Sequence, residues 1–430
     1  MERLNMSELS TKTRSNTIWT PLFIQAVIIN TLVHICTYMM NPISGMYANF
    51  LNAPETIVGL VAGFFAVTAL LFKIISAPAI DAFNRKYVLV ASIAILFVSF
   101  IFYYLSKDIT MLIISRLLTG AGLAFVPTCC MTIAADALPL EKMSTGIGYF
   151  ALGTAVAMAA APTIGLALVG AFGYTHTFAI MAVFMLLIIL YALTMHEDYK
   201  PVNKFKISVN SVIAKEAIVP SVMLLFLSIS FSLVNAFLVL YGNLTLFGNE
   251  QATGHTEMGL ISTIYAITMI FTRPMIGKLA DKYGTVKVVI PSMVFFAASF
   301  LLISTASSLW MFLFAAFIAA FGYGGSQPAI QAVCMKSVPK ERRGAASCTS
   351  FIGSDIGNLV GPVIAGALIM GTGGANKILG YQSMWRIMIV PILIAMAVSL
   401  IFRKQILYAG QSFNPINLKA NNIENASQES

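Results

Sequence analysis

Gly277-Lys278-Leu279-Ala280-Asp281-Lys282-Tyr283-Gly284 is a short charged turn between two long apolar runs, 261–276 before it and 288–303 after. Two hundred positions earlier the chain reads Ala77-Pro78-Ala79-Ile80-Asp81-Ala82-Phe83-Asn84-Arg85-Lys86, with the two aspartates in register and Asn84 opposite Gly284. A tight turn favours φ > 0, which asparagine tolerates better than other non-glycine residues. The earlier turn is therefore expected to be a worn copy of the later one. The register runs on without a gap: Lys73 with Arg273, Ser92 with Ser292, Gly122 with Gly322, Glu141 with Glu341, Pro162 with Pro362. Two tandem copies of one unit, joined near residue 200, account for such a series.

Composition says where the copies reside. Of 430 residues 58% are hydrophobic and 10% charged, and the mean hydropathy is +0.85. A soluble domain carries about 25% charged residues, so this is a membrane composition. The net charge of +9 does not point to nucleic acid, because the basic residues are not interleaved with aromatics on a soluble face. All five cysteines lie in apolar runs without metal-ligand spacing and are expected to pack as small hydrophobes. A cleavable signal peptide is not expected, since the first apolar run is too long for one.

Runs of about 20 residues, enough to cross a bilayer, fall at 18–44, 56–76, 87–105, 109–136, 144–170 and 174–195. After a basic linker come 216–243, 256–276, 286–305, 309–336, 344–370 and 382–403. The expected fold is an all-α membrane protein of 12 transmembrane helices in two pseudo-symmetric six-helix bundles, 18–195 and 216–404. A tail (1–17), a linker (196–215) and a disordered tail (405–430) are expected on the cytoplasmic side. Lysine and arginine decide the orientation: twenty lie in segments assigned inside and two, Lys107 and Lys377, in those outside. Both termini are thus expected in the cytoplasm of a multi-pass cell-membrane protein.

The paired turns resemble the loop signature of the major facilitator superfamily, nearly complete at 277–287 and degenerate at 77–86. Span four reads Leu112-Ile-Ile-Ser-Arg116-Leu-Leu-Thr-Gly120-Ala-Gly122, similar to a helix-four motif whose buried arginine is linked to proton coupling. Span five carries Gly148, Ala157, Ala161-Pro162 and Gly165, which is similar to the helix-five motif of antiporter-type exporters, with alanine in two glycine places. The resemblance implies the major facilitator fold, and a central pathway lined by spans one, four, seven and ten.

Ionisable groups inside spans are costly and default to function. Lys73 and Arg273 lie within a turn of the inner surface and Arg386 near the outer end, where each is expected to snorkel to water. His34, Arg116 and Asp355 remain as candidates for proton coupling. Asn30, His34 and Tyr38 recur every four residues and so share one helix face. Tyr323, Gln327 and Gln331 repeat the stripe in span ten, and Ser228, Ser232 and Asn235 in span seven. Such stripes are expected to face a wet cavity, with a packing role the alternative for His34. At 100° per residue Asp355 points away from the Gly353, Gly357, Gly361 seam, so the cavity is expected there too, with a structural hydrogen bond to a neighbouring helix the alternative.

The charged turns read as gates. Asp81 is expected near the amino end of span eleven and Asp281 near that of span five, each held by the helix dipole. Asp136 and Lys336, equivalent positions of opposite sign, are expected to meet across the pseudo-twofold axis when the inner side is closed, and Arg85, Lys282 and Arg342 complete the set. No nucleophile–base set of a hydrolase is visible, and neither a cofactor nor a metal is expected. The expected partners are a small-molecule cargo, protons and the bilayer, and the chain is expected to be a monomer. Proton-driven export of a small amphipathic organic compound is the leading reading, grounded in the helix-five motif and Arg116. An uptake symporter or uniporter is the runner-up, because Asn30 and His34 stand where drug exporters of the family carry a first-span acid. A non-transporting sensor on the same fold is the third.

Overall fold

Each apolar run becomes a helix, but the charged stretches are not loops as the sequence suggests: 277–283 ends the helix Glu257–Tyr283 and 77–82 ends the helix Glu55–Ala82, so only Gly284 and Phe83-Asn84 lie between helices. The computed structural model describes residues 17–53, 55–197, 199, 204–248, 257–374, 376–407 and 409. The first copy holds α1 Pro21–Phe50, α2 Glu55–Ala82, α3 Arg85–Leu105, α4 Ile109–Ala137, α5 (143–172) and α6 (174–193). The second holds α7 Ile218–Phe247, α8 Glu257–Tyr283, α9 Thr285–Thr305, α10 Leu309–Lys336, α11 Arg343–Gly373 and α12 Lys377–Ile401, the last broken at Met388. Nine stretches among the described residues have the length and hydropathy to cross a bilayer, and one of them, Leu140–Leu193, contains both α5 and α6. With α2 and α8, of 28 and 27 residues, the helices agree with twelve spans. Residues 1–16 of the amino-terminal tail, Lys200, His255, the tail from 410 and the side chain of Asn235 lie outside the described residues.

Two glycines set the chain's corners by conformation. Gly173 separates α5 from α6 at φ 75°, ψ 173°, a region essentially closed to side chains. A Cβ there would meet nothing within 4 Å, so backbone geometry and not space demands glycine. Gly284 joins α8 to α9 at φ 91°. Its counterpart Asn84 does not share that conformation, contrary to the sequence expectation. It sits at φ −63°, ψ 121° and caps α3, its side chain accepting from Lys86 N at 3.0 Å. Asparagine serves this turn as a helix cap, glycine serves the other as a left-handed hinge.

Packing repeats with the 200-residue shift. α1 lies on α5 and α7 on α11; α2 lies on α4 and α8 on α10. The bundles meet through α2 on α11 and α5 on α8, flanked by α4 on α11 and α5 on α10. These contacts are one contact seen twice. Gly277 and Gly148 make the second approach close: a Cβ on Gly277 would stand 2.6 Å from Ser144 O, and one on Gly148 2.7 Å from Arg273 O. The equivalent of Gly148 is Cys348, whose thiol donates to Lys73 O at 3.3 Å. Asp81 and Asp281 both lie at one end of the bundles, the charged end.

Candidate functional site

A cavity of about 250 Å³ lies between the bundles. α1 contributes Asn30, His34 and Tyr38, and α10 contributes Tyr323, Gln327 and Gln331, so both four-residue stripes share it. The His34 ring lies edge-on to Tyr38 at 5.3 Å, and its Nδ1 is 2.7 Å from Asn30 O. A carbonyl only accepts, so Nδ1 carries the proton and Nε2 is the acceptor of the neutral ring. Asn30 Nδ2 donates to Thr154 Oγ1 at 3.2 Å. Phe231 of α7 stacks on Tyr323 at 3.8 Å with planes 1° apart, which gives the cavity a flat aromatic wall.

Two cations look into this space. Lys73 of α2 is 3% exposed and pairs with Asp355 of α11, with Phe351 at 5.2 Å. Arg273 of α8 is 5% exposed; Nη1 donates to Ala151 O of α5 and Nη2 to Gln327 Oε1 at 3.3 Å. Neither snorkels, contrary to expectation. The bundle contact seals the route to water and supplies an acid to one and a carbonyl and an amide to the other. Arg386 donates to Ser304 Oγ at 3.4 Å.

Three sequence candidates, Arg116, Ser228 and Ser232, fall outside the cavity lining, Ser228 lying against Gly357 of α11. Arg116 is 1% exposed inside the first bundle, where Nε donates to Val61 O of α2 at 3.0 Å and its guanidinium lies 5.1 Å from the Phe65 ring. It ties α4 to α2, and Phe65 alone of that group faces the cavity. Ser232 donates to Ile229 O at 2.7 Å and turns to the α7–α11 seam at Gly361, one face away from Phe231. Spacing identifies residues that share a face but not the neighbour that face meets.

At the charged end both bundles are fastened by aspartates. Asp281 accepts from Ser144 N at 3.0 Å and Thr145 N at 2.7 Å, at the start of α5. Asp81 accepts from Gly344 N at 2.8 Å and Ala345 N at 3.0 Å, at the start of α11. Carboxylates there meet orphan amides and the positive helix end together. Asp136 and Lys336 do not meet in this structure. Asp136 pairs with Arg85 and, at 2.7 Å, with Arg343, while Lys336 pairs with Asp281 at 3.1 Å and donates to Ser144 Oγ. Each finds an opposite charge at the nearer bundle contact. Arg85 also donates to Lys340 O at 2.9 Å and lies 3.7 Å from the Tyr199 ring. Burial raises the Tyr199 phenol above its ordinary pKa with Arg85 opposing, so it remains a neutral donor to Asp81 O. Lys282 lies exposed over Tyr283, and Arg342 pairs with Glu216 at 2.7 Å within the second bundle, so neither joins the fastening. Arg343 was not anticipated.

This arrangement can hold a molecule with an apolar body and polar head, and the bonds at its charged end are ones that separation of the helices would break. Comparisons with known proteins agree with that geometry. The sequence model of the Major Facilitator Superfamily matches residues 26–253 and 225–415. Multidrug resistance protein 1 of Bacillus subtilis (strain 168) is 25% identical over 331 residues, covering 76% of this chain and 84% of its own length. Multi-drug resistance efflux pump PmrA of Streptococcus pneumoniae is 26% identical over 332 residues, covering 74% and 81%. Among solved structures, the human organic anion transporter MFSD10 superposes with a TM-score of 0.72 at 14% identity, over 88% of this chain and 100% of that one. A bacterial homologue of the iron transporter ferroportin, in an outward-facing state, has a TM-score of 0.72 at 12% identity, over 90% and 100%. Identities that low speak for the fold alone.

Proposed function

The chain belongs to the Major Facilitator Superfamily, and on that premise we propose that it exports a small amphipathic organic compound by alternating access, in exchange for protons. That it is a multi-pass membrane transporter and not an enzyme follows from the family; relatives that cover most of its length are named efflux pumps. Cargo, proton and the direction of movement are our reading. The observation that carries it is the Lys73–Asp355 pair, which bridges the two bundles with Lys73 buried and the Asp355 carboxylate bordering the cavity.

The basic loops assign the charged end to the cytoplasm, so the fastened end is the inner one. On this reading the Asp81 and Asp281 contacts close the cavity inward. A proton reaching Asp355 from outside removes one charge of the pair and unfastens α2 from α11. We assign the proton to the return of the empty carrier, with cargo moving outward while the pair is intact. Two rigid bundles rocking about a midplane site fit the repeat.

Proteoliposomes with an imposed pH gradient test this. Export coupling predicts that cargo moves against the proton flow and that Asp355→Asn abolishes gradient-driven movement while cargo exchange persists. Movement of cargo with the protons would favour uptake symport and overturn the exchange reading.

A further inference from the structure

The repeat gives Lys73 an acid and denies one to Arg273. Position 355 is aspartate, but its equivalent, 155, is alanine. Arg273 therefore reaches only the neutral acceptors Ala151 O and Gln327 Oε1, and its Nε has no hydrogen-bond partner among the described residues. The ionisable groups around it are three tyrosines, Tyr38, Tyr265 and Tyr323. Of these the Tyr265 hydroxyl is buried without a hydrogen-bond partner among the described residues. Among the lysine, arginine and carboxylate side chains that line the cavity, Lys73 and Arg273 stand against Asp355 alone, so one positive charge is left over.

A buried guanidinium without a counter-charge is a costly thing to keep. Its planar fork matches a carboxylate, sulfonate or phosphonate. We propose that the cavity takes an organic anion: its acidic head sits on Arg273, and its flat apolar body lies against the Phe231–Tyr323 wall. The inference rests on the transport reading above and names the chemical class of its cargo. An organic cation would find the same aromatic wall attractive, but it brings a second positive charge beside Arg273, and the acid in reach already holds Lys73. A monoanion brings the cavity to neutrality, which is the state that closes over most cheaply in a low-dielectric interior.

The test uses three probes of one shape on the purified full chain in nanodiscs: naphthalene-2-carboxylate, naphthalene-2-carboxamide and 2-naphthyltrimethylammonium. Affinities are read by titration calorimetry. The carboxylate is expected to bind about tenfold to a hundredfold more tightly than the amide, as a charge-assisted bond requires, and the ammonium more weakly than either. Arg273→Gln should bring the carboxylate down to the affinity of the amide, and Arg273→Lys should keep part of the preference. Equal binding of all three, or preference for the ammonium, overturns the anion site and leaves the transport reading standing. Binding of none by the wild type overturns both. Should Arg273→Gln fail to fold, the wild-type ranking and Arg273→Lys still decide.

Discussion

Neutralising Asp355 alone should cost more than neutralising both members of the Lys73–Asp355 pair. Asp355→Asn leaves a lysine that is 3% exposed facing an amide and the Phe351 ring. Removing one partner of a fully buried pair costs about 3–5 kcal/mol, against about 0–1 kcal/mol for a pair in water. Here the Lys73 side chain is 4% exposed and that of Asp355 40%, because the carboxylate borders the cavity. Water screens the acid and not the base, so Asp355→Asn should cost about 2–3 kcal/mol, just below the buried range. Lys73→Gln leaves a carboxylate that the cavity can hydrate, and should cost about 1 kcal/mol. The double variant, neutral on both sides, should also cost about 1 kcal/mol. The cycle thus predicts a coupling of about 2 kcal/mol, with Asp355→Asn the worst of the three. Equilibrium unfolding of the four proteins in mixed micelles at neutral pH measures it. If the two single costs add to the double within about 0.5 kcal/mol, the pair does not act as a unit, and a switch built on it fails.

Other outcomes follow from the seams. Asp81→Asn should weaken the charged end by about 1–2 kcal/mol, the worth of a charged cap. The thiol of Cys348, buried in that seam, should then react several times faster with an impermeant reagent in a background lacking the other cysteines; an unchanged rate counts against the fastening. Gly148→Val sets side-chain atoms against the Arg273 backbone, which cannot step aside. Overpacking of about 1–3 kcal/mol should cut cargo flux at least tenfold, whereas Gly170→Val, with nothing within 4 Å, should leave flux intact. Asp136→Lys should impair transport, and adding Lys336→Asp should not rescue it, since their partners are Arg85, Arg343 and Asp281; recovery in the double variant would show that 136 and 336 meet in another state.

Much of the fold was legible because a gap-free repeat with a charged turn leaves few arrangements for runs of that length. The stripes Asn30-His34-Tyr38 and Tyr323-Gln327-Gln331 were legible for the same reason: a polar face in an apolar helix has to meet something wet. What stayed hidden depends on depth and neighbour. Lys73 and Arg273 lie near enough to a helix end to suggest snorkelling, and only the packed seam reveals that α11 and α5 cover them. The asymmetry of Asp355 and Ala155 was a signal in the sequence that could have paired Lys73 with its acid. Arg116 stands out in the sequence as a charge inside a span and Ser232 as part of a spaced polar stripe, but neither signal says which neighbour the side chain meets. Asn84 before the basic start of α3 also carried its own cap signal, which the analogy with Gly284 masked.

The central claim is that two bundles rock about the cavity, opening one end as the other closes. Distances between spin labels at the repeat-equivalent positions 107 and 307, at the end opposite the charged one, and 141 and 341, at the charged end, measure this directly by double electron–electron resonance in nanodiscs. On acidification the account predicts a shorter 107–307 distance together with a longer 141–341 distance. Two distances that stay fixed, or that change in the same direction, contradict it.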